Sequence, residues 1–191
     1  KAFATVPIST VCAGRTDTGV HATHQVVDFE APVTRPMTAW VRGVNTFLPE
    51  SVAVRWTCEV PDDFSARFSA TERTYEYWIL NDSVRSPLMN GLVGWVFRPC
   101  DEEKMQEAAQ YLLGEHDFTS FRASECQAKS PVRTIHEVTV RRHGNMIGIR
   151  LRANAFLHHM VRNIVGSLVY VGTGRESVAW FKAVLEARNR T

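Results

Sequence analysis

The segment CAGRTDTGVHA, residues 12–22, gathers side chains that can do chemistry into one short loop. Asp17 follows Arg15 by two residues, and Gly19 and His21 follow Asp17 by two and four residues. A lone Asp in a turn is usually a capping residue. A neighbouring cation, however, would keep this carboxylate ionised, and an ionised carboxylate in a shielded cleft can act as a nucleophile or a general base. The segment therefore predicts either an ordinary surface turn with polar side chains or an active-site loop built around Asp17.

Histidines raise the alternative of a metal site. His21 and His24 are three residues apart, and His158 and His159 are adjacent. Zinc sites usually take three or four ligands, and the four cysteines lie far from the histidines in sequence. If the segment around 157–171 is helical, His158 and His159 point about 100° apart and cannot readily face one ion. We predict no metal site, and a metal-dependent hydrolase stays an alternative that analysis of bound zinc would decide.

Other common catalytic patterns are absent from the sequence. It contains no G-x-S-x-G motif, no Cys in a loop beside a His and no Gly-rich phosphate loop after a strand. The segment GTGR near residue 172 follows a predicted helix, so its glycines more simply end that helix. We therefore predict that the protein uses no cofactor.

Composition limits the class of protein and hints at its partner. The chain has 191 residues, 45% of them hydrophobic, and contains no uninterrupted apolar run long enough to span a membrane. Because no basic-then-apolar segment with a cleavage site occurs in it, we expect that the protein is not exported. Its four scattered cysteines fit reduced thiols in a cytoplasmic protein. The formal net charge is only +2, but the basic residues comprise eighteen Arg against four Lys. Arginine suits phosphate binding and stacking on bases, although a bias of the source genome is an equal explanation.

Hydrophobic periodicity predicts the elements that must position these residues. Alternation or apolar runs predict strands over 9–14 (buried), 25–31, 51–60, 71–80, 134–142 and 146–153, the last two joined by an HGN turn. Helical spacing appears over 35–48, from the Asp101 cap to Gly114, over 157–171 and over 176–187. The predicted stripe of the Asp101 helix is Met105, Ala108, Ala109 and Leu112. The pattern favours an α+β fold, with an antiparallel or mixed sheet covered by helices on one face.

The same segments carry a resemblance to a known family. GRTDTGVHA resembles the signature loop G-R-T-D-x-G-V-H-A of the TruA family of tRNA pseudouridine synthases. DDFSARFSATERTYEYWI, LLGEHDFTSFRA and ANAFLHHMVRNIVGSL resemble later segments of that family in the same order. The resemblance implies a pseudouridine synthase fold of two ferredoxin-like (RRM-like) halves. With Pro61–Asp63 as the predicted boundary, residues 1–62 would carry the Asp17 loop and residues 63–191 would carry Tyr75 and Arg162.

The resemblance also implies a reaction. Members isomerise uridine to pseudouridine at positions 38, 39 and 40 of the tRNA anticodon stem-loop. Asp17 is the implied nucleophile, Arg162 its implied charge partner, and the Tyr75 ring the implied stacking surface for the uracil. Attack on uracil C6, attack on ribose C1′ and proton abstraction from the sugar all stay open. Tyr77 and Trp78 are predicted to be core aromatics instead.

Further residues are implied to contact RNA. Arg15 would help take the target base out of its stack, and Arg35 is a candidate phosphate contact. The other implied contacts are Phe64, Ser65, Ala66, Arg67, Phe68, Glu125, Cys126, Gln127, Ala128 and Lys129. Members act as cytoplasmic homodimers in which one tRNA spans both subunits. The alternative function is a non-catalytic tRNA-binding or RNA-binding module on the same scaffold.

Family members also have segments before Lys1 and after Thr191. We therefore expect the isolated chain of 191 residues to fold weakly or to lack activity.

Overall fold

The computed structural model describes residues 6–190, and the chain divides into two compact units. Unit 1 is Lys1–Ala70 and unit 2 is Thr71–Thr191. Among the described residues, no helix has both the length and the apolar character needed to cross a bilayer.

Unit 1 contains a two-stranded antiparallel ribbon and one helix. Strand β1 (Thr10–Cys12) pairs with β2 (Val27–Phe29), and α1 spans Met37–Asn45. Trp40 of α1 is buried, and its ring lies 5.2 Å from that of Phe29. The prediction that the first strand is buried is wrong, because Thr10 and Val11 are exposed. Within the described part of unit 1, β1 has a ladder partner only on the β2 side.

The predicted strand over residues 51–60 is also wrong, since this segment joins neither of the two sheets. The side chain of Asn45, at the end of α1, bonds the backbone of Val54 instead. Asn45 Nδ2 donates to Val54 O at 2.8 Å, and Val54 N donates to Asn45 Oδ1 at 2.7 Å. One amide side chain thus satisfies the two backbone groups that a neighbouring strand would have paired.

Unit 2 is built around a five-stranded sheet with the order β4-β3-β7-β6-β5. The β3–β4 pair is parallel, and the other three pairs are antiparallel. The strands are β3 (Arg73–Asn81), β4 (Gly94–Val96), β5 (Gly114–Asp117), β6 (Val132–His143) and β7 (Met146–Ala153). The helices are α2 (Glu102–Gln110), α3 (Met160–Gly172) and α4 (Val178–Ala187), with short 3₁₀ turns at Pro87–Met89 and Thr119–Phe121.

Alternation along the strands separates the two faces of this sheet. Ile147, Ile149 and Leu151 of β7 are fully buried in one core with residues of all three helices, whereas Arg150 between them is exposed. The β6–β7 turn is the two-residue Gly144-Asn145, with Gly144 at φ +62°, as a tight hairpin requires. The predicted hairpin and the α+β class with a mixed sheet are confirmed.

The face of the sheet away from this core carries a ladder of ion pairs. Arg152 binds Glu72 at 2.8 Å and Glu137 at 3.2 Å, while Arg150 binds Glu76 at 3.1 Å and Glu137 at 3.5 Å. Glu76 and Glu137 lie on the two strands that flank β7, and Glu72 directly precedes β3, so these pairs link neighbouring strands and stabilise their register.

Trp78 lies on the ladder face, so the prediction that it is a core residue is wrong. Trp78 is opposite Gly148 in the β3–β7 register, and a Cβ added to Gly148 would lie 2.9 Å from the Trp78 ring. The indole of Trp78 therefore lies directly over Gly148, where any side chain larger than hydrogen would clash with it. Tyr77, one residue earlier and on the other face, packs against the core as predicted.

Helix α2 follows its predicted pattern except at its end. The side chain of Asp101 accepts a hydrogen bond from Lys104 N at 3.0 Å. The four residues of the predicted stripe, Met105, Ala108, Ala109 and Leu112, are fully buried. The helix ends at Gln110, not at Gly114. Bonds from Leu112 N to Ala109 O and from Leu113 N to Gln110 O tighten the chain into a turn, and Gly114, at φ +93°, begins β5.

Arg142 joins α2 to the sheet. Its Nε donates to Glu102 Oε2 at 2.8 Å, and its Nη2 donates to Cys100 O at 2.6 Å and to Asn81 Oδ1 at 3.2 Å. The bond from Arg142 lowers the pKa of the Glu102 carboxyl below its usual value of 4.5.

Replacing Glu102 with Gln tests this link. A carboxyl whose pKa is lowered on folding stabilises the fold above the unfolded pKa and loses that contribution as the pH falls through the folded value. We expect Glu102→Gln to lower the unfolding free energy at neutral pH by at most about 1 kcal/mol, because the pair is partly exposed. The deficit should shrink as the pH drops below 4.5. Urea unfolding over a pH series measures it, with exposed Glu103→Gln as control; equal pH profiles for the two variants would contradict the prediction.

Candidate active site

The Asp17 loop connects β1 to β2 in unit 1 and is hydrogen-bonded at its base. Ala13 N donates to Val26 O at 2.9 Å, and Gln25 Nε2 donates to Gly14 O at 2.7 Å. At the tip, Val20 N donates to Asp17 O at 3.0 Å, and Gly19 takes φ +78°, which other residues rarely adopt. Arg15 and Asp17 are both exposed. The loop thus has a defined backbone and presents a carboxylate that a bound molecule can reach.

The segment Phe64–Phe68 is anchored to β2 by a residue that sequence reasoning missed. Ala66 N donates to Asp28 Oδ1 at 2.6 Å, and Ala66 is buried. Arg67 and Phe68 point outwards: the Phe68 side chain is 81% exposed, and the Arg67 guanidinium carbon lies 5.4 Å from its ring centroid. An exposed aromatic beside a cation can stack on a base and contact a phosphate. Arg35, the other predicted contact in this unit, is exposed just before α1.

In unit 2, Tyr75 is the third residue of β3. It lies opposite Leu151 in the β3–β7 ladder, on the same face as Tyr77 and Ile79. Its half-buried ring packs edge-on against Phe156, with centroids 5.0 Å apart and planes at 80°. Phe156 is a neighbour that sequence reasoning did not identify. A ring fixed by a strand and by a second ring has little rotational freedom to lose on binding a base.

The predicted helix over 157–171 begins later than expected. Helix α3 starts at Met160, and His158 and His159 lie in the turn before it, with His159 at φ +59°. Their ring centroids are 3.9 Å apart, so the angular argument against a shared ion is wrong. The turn is tied down because His158 O accepts a bond from Ala123 N at 2.9 Å. The expectation that the protein holds no metal stays a prediction.

Arg162 lies in the first turn of α3 and is exposed. An exposed guanidinium group keeps its hydration, and the pairing of Arg162 with Asp17 stays a prediction. Asn163, the next residue, is a second neighbour that the sequence did not reveal. Its Nδ2 donates to Phe121 O at 2.8 Å, which links the start of α3 to the segment that precedes Glu125.

The predicted RNA-contact segment Glu125–Lys129 follows that link. Cys126 N donates to Ala123 O at 3.1 Å, and Cys126 and Ala128 pack against the core. The side chains of Glu125, Gln127 and Lys129 are exposed. Cys126 and Ala128 thus hold the segment against the core, and the polar side chains that alternate with them are accessible to a ligand.

Comparisons with known proteins give one consistent result. A family model described as tRNA pseudouridine synthase matches residues 108–191. A protein of Herminiimonas arsenicoxydans is 58% identical over 98% of this chain and 70% of its own length, and one of Dechloromonas aromatica is 57% identical over 97% and 71%. A protein of Burkholderia cenocepacia is 54% identical over 98% and 70%. All three are named tRNA pseudouridine synthase A.

Proposed function

Because this chain belongs to the tRNA pseudouridine synthase A family, we propose that it is an isomerase that converts uridine to pseudouridine in tRNA. The finer proposal is that it acts at positions 38, 39 and 40 of the anticodon stem-loop, with Asp17 as the nucleophile. The observation that carries the proposal is the 58% identity over 98% of the chain, which includes the whole Asp17 loop. The exposed carboxylate on a hydrogen-bonded loop supports it independently.

The chemistry requires a carboxylate and no redox partner. The N1–C1′ bond of uridine breaks, the uracil turns, and a C5–C1′ bond forms; the proton leaves C5 and N1 gains one. No electrons leave the substrate, so atoms and charge balance within one nucleoside. Asp17 would assist by attack on C6 or C1′ or by taking a proton from the sugar, and each route needs it ionised.

The other predicted residues have surroundings that suit their proposed roles. Arg162 is an exposed cation on α3 and would keep Asp17 ionised and oriented. The Tyr75 ring would stack on the flipped uracil, which contributes about 1–3 kcal/mol per base. Arg15 would occupy the space that the base leaves, while Arg35, Arg67 and Phe68 would contact the surrounding RNA.

Assembly and organisation complete the proposal. We propose that the protein is a cytoplasmic homodimer in which one tRNA spans both subunits. We also propose that the chain has two halves: residues 1–62 carry the Asp17 loop, and residues 63–191 carry Tyr75 and Arg162.

Mapping of pseudouridine in the RNA product tests the proposed function. The full-length protein is incubated with an unmodified tRNA transcript, and carbodiimide adducts are mapped by primer extension. We expect stops at positions 38, 39 and 40 only. Stops elsewhere would overturn the site, and tight RNA binding without any stop would favour the non-catalytic binding module.

A further inference from the structure

Arg133, the second residue of β6, carries a guanidinium group that its own protein satisfies incompletely. Nη1 donates to two backbone carbonyls, Ser130 O at 2.9 Å and Val132 O at 2.6 Å. Nε is buried and has no hydrogen-bond partner. Among the described residues, no carboxylate forms an ion pair with this side chain. No motif in the sequence distinguished this arginine from the other seventeen.

Other arginines of the same sheet show how different this environment is. Arg142, Arg150 and Arg152 each bind one or two glutamates at 2.8–3.5 Å. Burial of the guanidinium group lowers the pKa of Arg133 below its usual value. An arginine stays protonated at neutral pH, so Arg133 carries a partly buried positive charge that has no carboxylate partner within residues 6–190. Such a charge costs free energy that an external anion would recover.

The position of Arg133 in the fold indicates the chemical class of the external anion. It lies four residues after Lys129, the exposed cation that ends the predicted RNA-contact segment. In the ladders, Ile135 of β6 is opposite Ala153 of β7, and Ala153 is opposite Arg73 of β3. Since side chains two residues apart share a face, Arg133 and Tyr75 lie on the same face of the sheet. Across the sheet, Arg133 and Tyr75 are two strands apart, and along the strands they are four residues apart. Together these offsets give a distance of roughly 15–20 Å between the two residues.

We propose that Arg133 binds a backbone phosphate of the RNA substrate, a few nucleotides from the uridine that stacks on Tyr75. The proposal rests on the function proposed above, since it takes RNA as the ligand. Arg133 is partly exposed, and a phosphate would accept bonds from Nη2, which has no protein acceptor among the described residues. The carbonyls of Ser130 and Val132 hold the group in place before the RNA arrives, so little side-chain freedom is lost on binding.

Salt-dependent binding of a fluorescent anticodon stem-loop RNA by the full-length protein tests this. We expect Arg133→Gln to raise Kd by about tenfold to a hundredfold, the value of a bond to a charged group. The slope of log Kd against log salt should fall by about 0.7, as for the loss of one phosphate contact. The matched control is Arg141→Gln, which removes an exposed charge from the ladder face of the same strand. A wild-type Kd and slope for Arg133→Gln, or equal changes in both variants, would overturn the proposal.

A second measurement covers the case in which Arg133→Gln does not fold. The Nε–H resonance of Arg133 is followed by nuclear magnetic resonance in the wild-type protein during titration with the stem-loop RNA. We expect this resonance to shift with the same Kd as the fluorescence titration, and an unshifted resonance at saturation contradicts a phosphate contact. If the wild type binds and converts tRNA while Arg133→Gln is unaffected, this inference alone fails. Absence of conversion by the wild type would instead count against the proposed function.

Discussion

We expect Asp17→Asn to reduce pseudouridine formation by at least about 10³-fold and to leave tRNA affinity within a few-fold of wild type. Loss of a nucleophile typically has an effect of this size or larger. Asparagine keeps the shape of the side chain but cannot be ionised, so it removes the chemistry and preserves the loop. The binding surfaces proposed around Arg67, Phe68 and Lys129 are untouched by the change. Single-turnover kinetics with carbodiimide mapping measure the rate, and RNA titration measures the affinity.

The matched control for Asp17→Asn is Glu30→Gln, which removes one exposed negative charge elsewhere in unit 1. We expect its rate to equal that of the wild type. Circular dichroism and the unfolding midpoint confirm that both variants are folded. Turnover by Asp17→Asn at a near wild-type rate would remove Asp17 from the mechanism, whatever the control does.

Replacing Phe181 with Ala has the largest expected effect on stability, a loss of about 3–5 kcal/mol in unfolding free energy. Phe181 is fully buried in α4, and its ring centroid lies 5.7 Å from that of Phe121, which is 6.3 Å from that of Phe118. Three aromatic rings thus join α4 to the turn at Thr119–Phe121. Truncation leaves a cavity among neighbours that are themselves fully buried, so the site cannot easily collapse.

Urea unfolding measures this loss, with Phe97→Ala as the control. The Phe97 side chain is 60% exposed in the same unit, and its truncation should change the unfolding free energy by no more than about 0.5 kcal/mol. Asn163 bonds the carbonyl of Phe121, so we also expect Phe181→Ala to weaken protection of the first turn of α3 in hydrogen exchange. Similar stability losses for the two variants would contradict the assigned core.

Most of the fold of unit 2 could be predicted from local patterns. The alternation in β7 and the stripe of α2 are strong because each has one face in the core and one outside. Two of the failures occur where one side chain or carbonyl makes a bond that the local pattern does not reveal. Asn45 binds the backbone N–H and C=O of Val54, within the predicted strand at residues 51–60. Likewise, the bond from Ala123 to His158 O accompanies a left-handed His159 that delays α3, and periodicity does not encode such long-range bonds.

The residues of the candidate site also fall into two groups, those that the sequence identified and those that only the structure revealed. The residue types in the loop singled out Asp17, and the resemblance to the family singled out Tyr75 and Arg162. They did not single out Asp28, which anchors Ala66, or Phe156, which packs on Tyr75. These residues act through contacts between distant parts of the chain, and only the folded structure brings them together.

The ladder of ion pairs on the sheet of unit 2 also shapes how a polyanion approaches the protein. Its three glutamates and two arginines carry a formal net charge of −1, so the paired arginines add no positive charge to the long-range electrostatic field. Steering of RNA depends on the uncompensated arginines elsewhere, and a count of eighteen overstates the charge available for it. The arginine-rich composition is therefore partly structural, and association rates should depend on salt less steeply than the number of arginines implies.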